Sequence, residues 1–576
     1  MRSFSLVAMM GLLGASGAAA APSAPTDETP ALIPQPLELV MEGQKPGFLL
    51  TDGIRVDAAT SRSELGRAAV RALMAAGFRV LPEEREGDVQ LRQARGMNPE
   101  WYALEVSPSG ISMTVNDPKG LYLAAQTLAQ AVVRDREGRE ALPCMRVEDE
   151  PLLHYRGIMI DVARYFRTVE EMKQVIRLMA RYKLNVLHWH LTDDQGWRLE
   201  IRKYPKLTQL GSQRPCSPTI EDPGVAGNQP HGGFYTQQEV RDVVAYAKAH
   251  GITVIPEIEV PGHNCALMAA YPELGNDDIP GYAPRVATGW GVHPYVMAPK
   301  PATFTFIRDV FDEVCKLFPD APYIHIGGDE VPREQWEKSE TAHRFMQEKG
   351  LSRCGDIQHY FTDFCVTELD RHGRRIIGWD EIMEDGKIPA SAVVMVWRNL
   401  QYAYPAIRKG HDVILTPNSH FYLDYGQGKF PADPSYRGIG TTSGFDWQKV
   451  YSFDPQLPGL TPEEQQHVIG VQGNLWGEYL HNSLKFQYQL VPRLCAVAEV
   501  GWLPKARRDE ADFARRLRGQ YDYFDSEKLN FREEDGTPRL DREAMTRPHP
   551  LPEPAAQPQA APAAPVAPAA PKPAKG

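Results

Sequence analysis

Cysteine is scarce in this chain: seven among 576 residues, at Cys144, Cys216, Cys265, Cys315, Cys354, Cys365 and Cys495. An odd number without regular spacing excludes a disulfide framework, leaves room for one or two bridges, and makes most of these thiols small core residues. A basic excess is missing as well. Lys and Arg number 63 against 74 Asp and Glu, a formal charge of -11, and no Lys/Arg stripe follows a phosphate backbone, which argues against nucleic acid as a partner. Beyond the N-terminus there is no apolar run of the roughly 20 residues that span a bilayer, so no membrane span is expected. What stands at that N-terminus is Arg2, an apolar run over residues 4–13, and Ala18, Ala19 and Ala20. This is the layout of a secretory leader, so residues 1–21 are expected to be removed and the mature protein exported, to the periplasm or beyond. At the other end, residues 546–576 are rich in Pro and Ala and read as an extended tail outside the fold.

Between these ends, a hydrophobic content of 42% with 24% charged residues leaves ample core, and the length suits two domains. Residues 31–151 have an α+β pattern. Leu65, Ala69, Leu73 and Ala76 recur at helical spacing before Gly77, residues 102–106 and 111–115 alternate like paired strands, and Leu121, Ala125, Leu128 and Val132 line a second helix. Over residues 152–545 the rhythm becomes strand, loop, helix, repeated, which signals a parallel sheet with crossover helices. Strands are predicted at 157–161, 186–191, 253–257, 323–326, 375–378, 392–396, 412–416 and 468–473, with capping boxes at Thr168/Glu171 and Thr236/Glu239 opening two of the helices. Eight such units make the fold class α/β, a (β/α)8 TIM barrel preceded by a smaller α+β domain, with chemistry expected on the loops after the strands.

The segment YIHIGGDEVP, residues 323–332, places an apolar strand, two glycines and then the adjacent acids Asp329 and Glu330 in a row. Two neighbouring carboxylates repel when both are charged, so partial burial should let one hold a proton while the other stays an anion, as glycoside hydrolysis requires. The other predicted strand ends add Asp161 and Arg164; His188, His190, Asp193 and Asp194; Glu257, Glu259 and His263. After the last four come Trp379, Asp380 and Glu381; Trp397; Tyr422 and Asp424; Trp476 and Glu478. Aromatic walls with carboxylates and an arginine suit a sugar, whose apolar ring faces stack and whose hydroxyls want charged partners. A metal reading stands beside it, in which His188 and His190 hold a divalent ion with His263 or Asp329. Trp101, Trp189, Trp336 and Trp502 read as packing, and Glu257 and Glu259 as braces of the barrel rim.

The stretches RGIMIDVARYF, LNVLHWHLTDDQGWRLEI, GGFYTQQE, VIPEIEVPGH, HIGGDEVP, GWDEI and NLWGEY resemble, in order, those of the family 20 β-N-acetylhexosaminidases among glycoside hydrolases. Local departures fall at Asn264-Cys265 and at Gln213 to Cys216. The resemblance implies exo-acting removal of a terminal N-acetylhexosamine, with retention, in which the substrate's own acetamido oxygen attacks the anomeric carbon. It makes Glu330 the general acid and then base, with a high pKa, and Asp329 the anion that holds the acetamido N–H, with a low one. It gives Asp193 and His263 to a relay behind Glu330, and Asp194 and His190 to supporting places. Arg164, Asp424 and Glu478 would take sugar hydroxyls, Tyr422 the acetamido oxygen, and Trp379, Trp397 and Trp476 the walls. No cofactor or metal is implied, and the partner is a small or oligomeric sugar. A catalytically silent sugar-binding barrel is the alternative of a different class.

Overall fold

The computed structural model describes residues 29–540 apart from 44–46, 84–86, 135–136, 219–228, 385–387 and 429–444. The leader and the Pro/Ala-rich tail lie outside the described residues. Within them, no helix is long and apolar enough to cross a membrane.

Eight parallel strands close into a barrel: Tyr155–Asp161, Val186–His190, Thr253–Glu257, Tyr323–His325, Arg375–Trp379, Val393–Val396, Val413–Leu415 and Val468–Leu475. The first pairs with the last, Ile158 opposite Gly473, which seals the ring. Every predicted strand is present, the first starting two residues earlier and the eighth ending two later than its apolar pattern suggested. Both capping boxes form, with Thr168 and Thr236 accepting the N–H of Glu171 and Glu239. Helices pack outside the ring: Trp189, facing outward, meets Tyr235 and Phe318 edge-on, while Tyr155, Val186, Ile255, Ile377, Val393, Met395 and Ile414 fill the interior beneath Trp379. Parallel strands bring all eight C-terminal ends to one rim, so the acids and aromatics of eight distant segments share a single face. None of the seven cysteines is in a disulfide and five of them are buried, so the bridges the sequence left room for do not form.

The smaller domain carries a five-stranded sheet in which the Tyr102–Ser107 and Gly110–Val115 pair is central, backed by helices Glu64–Ala75 and Pro118–Ala131. It grips the barrel from the side where the strands begin, through buried ions. Asp149 accepts from Tyr102 Oη at 2.6 Å, Lys183 Nζ at 3.0 Å and Trp502 Nε1 at 2.8 Å, and Arg156 forks onto Glu100 at 2.8 and 3.1 Å. Burial pulls the Lys183 ammonium below its usual range even with Asp149 opposing. Asp149→Ala leaves that buried cation without its counter-ion, and a loss of about 3–5 kcal/mol is expected, measured as a lower denaturant midpoint.

Candidate active site

The fourth strand runs into Gly327 (φ 66°) and Gly328 (φ 91°) before delivering Asp329 and Glu330. A Cβ on Gly327 would stand 1.9 Å from Glu259 Oε2, and one on Gly328 2.8 Å from Ile382 Cγ2, so both handedness and space demand glycine. Glu330 itself adopts φ 48° and His263 φ 49°, left-handed conformations that a side chain pays for in strain and that cluster at functional sites. The turn separates the two neighbours. Asp329 keeps 13% of its side chain exposed, Glu330 42%: one acid faces inward and the other the mouth.

His263 stands between them and the interior, its Nε2 3.6 Å from Asp329 Oδ2 and 3.7 Å from Glu330 Oε2. Its Nδ1 bonds Asp194 Oδ2 at 3.0 Å, with Asp193 Oδ1 at 3.5 Å. The carboxylate closest to His263 is therefore Asp194, to which the sequence gave only a supporting place, and both acids face the same imidazole nitrogen. Their divergence comes from the tight hairpin that pairs Thr192–Asp193 with Gly196–Trp197. There Asp193 turns to Arg164 Nη2 at 2.8 Å and His190 Nε2 at 3.0 Å, while Asp194 also accepts the Cys265 N–H at 2.9 Å. Although burial opposes it, Arg164 and His263 hold Asp193 well below the usual carboxylate range. Against the same burial, Asp193 and Asp329 lift His263 well above the ordinary imidazole value. Burial pushes Asp329 up to about 7, with His263 pulling the other way and Glu330 adding to the rise. The low Asp329 value expected from its role is thus reversed in the free site, because desolvation and neighbouring negative charge outweigh one imidazole.

The remaining predicted residues surround this pair. Trp397 and Tyr422 stack at 5.9 Å and 16°, Trp476 packs against Tyr422 at 6.2 Å and Trp379 at 5.7 Å, and the Arg164 guanidinium lies over Trp476 at 5.3 Å. The result is a contiguous aromatic box. At one end Arg164 bonds Asp161 at 3.0 Å and Gln195 at 2.9 Å and stands 3.9 Å from Glu478. Burial, with Glu478 next to it, pushes Asp424 well up; burial likewise raises Glu478 despite Arg164. Asp329 Oδ1, His263 Nε2, Asp424 Oδ1, Glu478 Oε2 and Trp476 Nε1 are all buried without a hydrogen-bond partner among the described residues. Buried polar atoms are seldom left unpaired in proteins, and five of them on residues of one box mark a place built for a polar guest. Beside Glu330 a cleft of about 320 Å³ opens, lined by Val331, Arg333, Gln358, Glu384, Trp397 and Arg398 among others.

The four residues of the metal reading do not gather. His188 and His190 both turn to Glu257, while His263 groups with Asp193 and Asp194 or with Asp329 and Glu330. Three contributors have roles that sequence reasoning did not give them. Gln195 orients Arg164; Glu381, pushed by burial and by Asp329 to about 8, accepts Trp397 Nε1 at 3.0 and 3.2 Å; and Glu257, read only as a brace, accepts Trp379 Nε1 at 2.9 Å. Glu381 stood among the strand-end acids with no role assigned to it; Gln195 and Glu257 offer no local signal of their role.

Comparison with known proteins adds to this geometry. Residues 153–505 match the profile described as glycosyl hydrolase family 20, catalytic domain, and residues 29–150 that of its domain 2. A β-hexosaminidase of Porphyromonas gingivalis is 42% identical over 440 residues, 75% of this chain, which spans 54% of that protein's length. A β-N-acetylhexosaminidase of Cellulomonas fimi is 33% identical over 517 residues, 87% of this chain and 95% of the relative. Among solved structures, the GH20 exo β-N-acetylglucosaminidase of Vibrio harveyi in complex with N-acetylglucosamine superposes with a TM-score of 0.78 at 32% identity, covering 89% of this chain and 80% of that one.

Proposed function

The chain belongs to glycoside hydrolase family 20, and from that membership and the geometry of its rim we propose that it is an exo-acting β-N-acetylhexosaminidase that works by substrate-assisted retention. One observation carries the mechanism: the two acids are consecutive residues of one loop, one turned inward and one toward the mouth. A retaining pair with its own nucleophile needs carboxyls about 5 Å apart on opposite sides of the bond, and neighbours on one turn are badly placed to straddle it. If the 2-acetamido oxygen attacks, the protein has only to aim the amide and protonate the leaving oxygen. In this reading Asp329 takes the amide N–H and Tyr422 the acetamido oxygen inside the box of Trp379, Trp397 and Trp476. Glu330 serves the leaving oxygen from the mouth, with the cleft beside it open to the aglycone, and His263 with Asp193 and Asp194 sets the charge behind it. Arg164, Asp424 and Glu478 close the far end around the hydroxyls of a terminal sugar, which makes the enzyme exo-acting. Export rests on the leader-like first residues.

The direct check compares an aryl N-acetyl-β-glucosaminide with the plain aryl β-glucoside. We expect the first to be hydrolysed at least about a hundred-fold faster, the scale of a lost transition-state contact or more; equal rates on the two would overturn the assisted mechanism.

A further inference from the structure

Beneath the sugar box lies a buried acid that the mechanism above leaves idle. Glu257, at the end of the third strand, is fully buried, and both its oxygens are engaged by the machinery on either side. Oε1 accepts Trp379 Nε1 at 2.9 Å. Oε2 meets His190 Nδ1 in a short contact, and the other nitrogen of that ring, Nε2, meets Asp193 Oδ2 at 3.0 Å. With a carboxylate on each side, both nitrogens of His190 carry hydrogens and the ring is an imidazolium. From Asp193 the row continues to Arg164 at 2.8 Å and to His263 at 3.5 Å, and from His263 to the paired acids. The other groups facing Glu257 are His188, whose Nε2 stands 2.9 Å away, His325, whose Nδ1 stands 2.9 Å away, and the carboxylate of Glu259. Gln472 Nε2 donates to His188 Nδ1 at 3.0 Å, so that ring carries its proton on the nitrogen turned to Glu257. Below, the Tyr155 hydroxyl donates to Gln472 Oε1 at 2.6 Å.

Building on the functional reading above, we propose that Glu257 is a positioning residue for the reaction, fastening with one carboxylate both the Trp379 wall of the sugar pocket and the imidazole row that ends at the paired acids. A carboxylate taken wholly out of water is costly unless its charge is matched, and here the matching groups are those that hold the box and the relay. The arrangement couples two parts of the site. The indole that walls the sugar and one of the cationic groups bonded to Asp193 share one anchor, so a shift of either is felt by the other.

Two substitutions separate the arms. Glu257→Gln keeps an oxygen for Trp379 Nε1 but turns an amide N–H₂ toward His190, which then gives up its Nδ1 proton and its charge. Glu257→Leu removes both contacts. On an aryl N-acetyl-β-glucosaminide, Glu257→Gln should lower kcat roughly ten- to hundred-fold, the range seen for outer carboxylate partners of histidines, with KM held within about three-fold. The acid limb of its kcat profile should move toward neutrality, because Asp193, left with Arg164 and His263 but no longer facing a charged His190, takes up a proton more easily. Glu257→Leu should raise KM as well. A purely architectural acid predicts a lower melting temperature with kcat per folded enzyme and its pH profile unchanged. If Glu257→Gln retains kcat within about two-fold and an unmoved acid limb, the proposal is overturned, and this variant decides even if the leucine variant does not fold. The parent enzyme is assayed first: its failure to prefer the acetamido substrate would count against the functional reading, whereas an active parent with an indifferent Glu257→Gln counts against this inference alone.

Discussion

Glu330→Gln should lose about 10³–10⁴ in kcat/KM on an N-acetylglucosaminide with a sugar aglycone, the upper part of what a positioned general acid supplies, and far less on a dinitrophenyl glycoside. The asymmetry follows from where the proton goes. A sugar alkoxide is a poor leaving group and needs its proton as the bond breaks; a nitrophenolate leaves without one. Glutamine keeps the size of the side chain at a half-exposed position at the mouth, and the unusual φ of 48° belongs to the backbone, so the fold has no reason to change. On the activated substrate kcat should still fall, since the second step needs Glu330 as the base that draws a proton from water. Parallel assays of kcat/KM and kcat on the two leaving groups resolve the two steps. A uniform loss on both leaving groups in kcat/KM would remove Glu330 from the acid role.

The sequence carried the scaffold well and the wiring poorly, and the reason is physical. Strands such as residues 253–257 announce themselves by apolar residues ending in an acid, and helix starts by Thr-x-x-Glu, because both signals are local. The Gly327-Gly328 pair likewise marks a turn in its own residues. Glu257 looked like a rim brace because its partners, His190 and Trp379, lie 67 and 122 residues away, and no pattern within a strand records which side chain faces which across a barrel. Asp193 and Asp194 are adjacent, and only the hairpin geometry decides that Asp194 takes His263 while Asp193 faces Arg164. The direction of the Asp329 shift is also a three-dimensional quantity: it sets burial, Glu330, Glu257 and Asp193, which raise it, against His263, which lowers it. The sequence names the participants without their distances.

Asp329→Asn is expected to cost about 10²–10³ in kcat, as loss of a charged stabiliser of a developing ion does, and to cost it equally on sugar and dinitrophenyl leaving groups. That equality sets it apart from Glu330→Gln. The acetamido oxygen attacks efficiently only when held in line, where an aligned intramolecular group reaches effective molarities of about 10⁵ M or more; asparagine can still present an oxygen but no charge to the amide N–H, which turns strongly positive as the ring closes. Hydrolysis of the plain glucoside, already slow, should hardly change, since it has no amide to hold. The pH dependence follows from the same charge. Asp329 must be an anion, and in the free site burial has raised its pKa to about 7, so kcat/KM falls as pH drops through that region. Bound substrate donates an N–H to the carboxylate and favours its charged form, lowering the pKa, so the acid limb of kcat lies at lower pH than that of kcat/KM. An acid limb of kcat lying at or above that of kcat/KM would mean that the amide does not rest on Asp329, and the asparagine variant should then lose little.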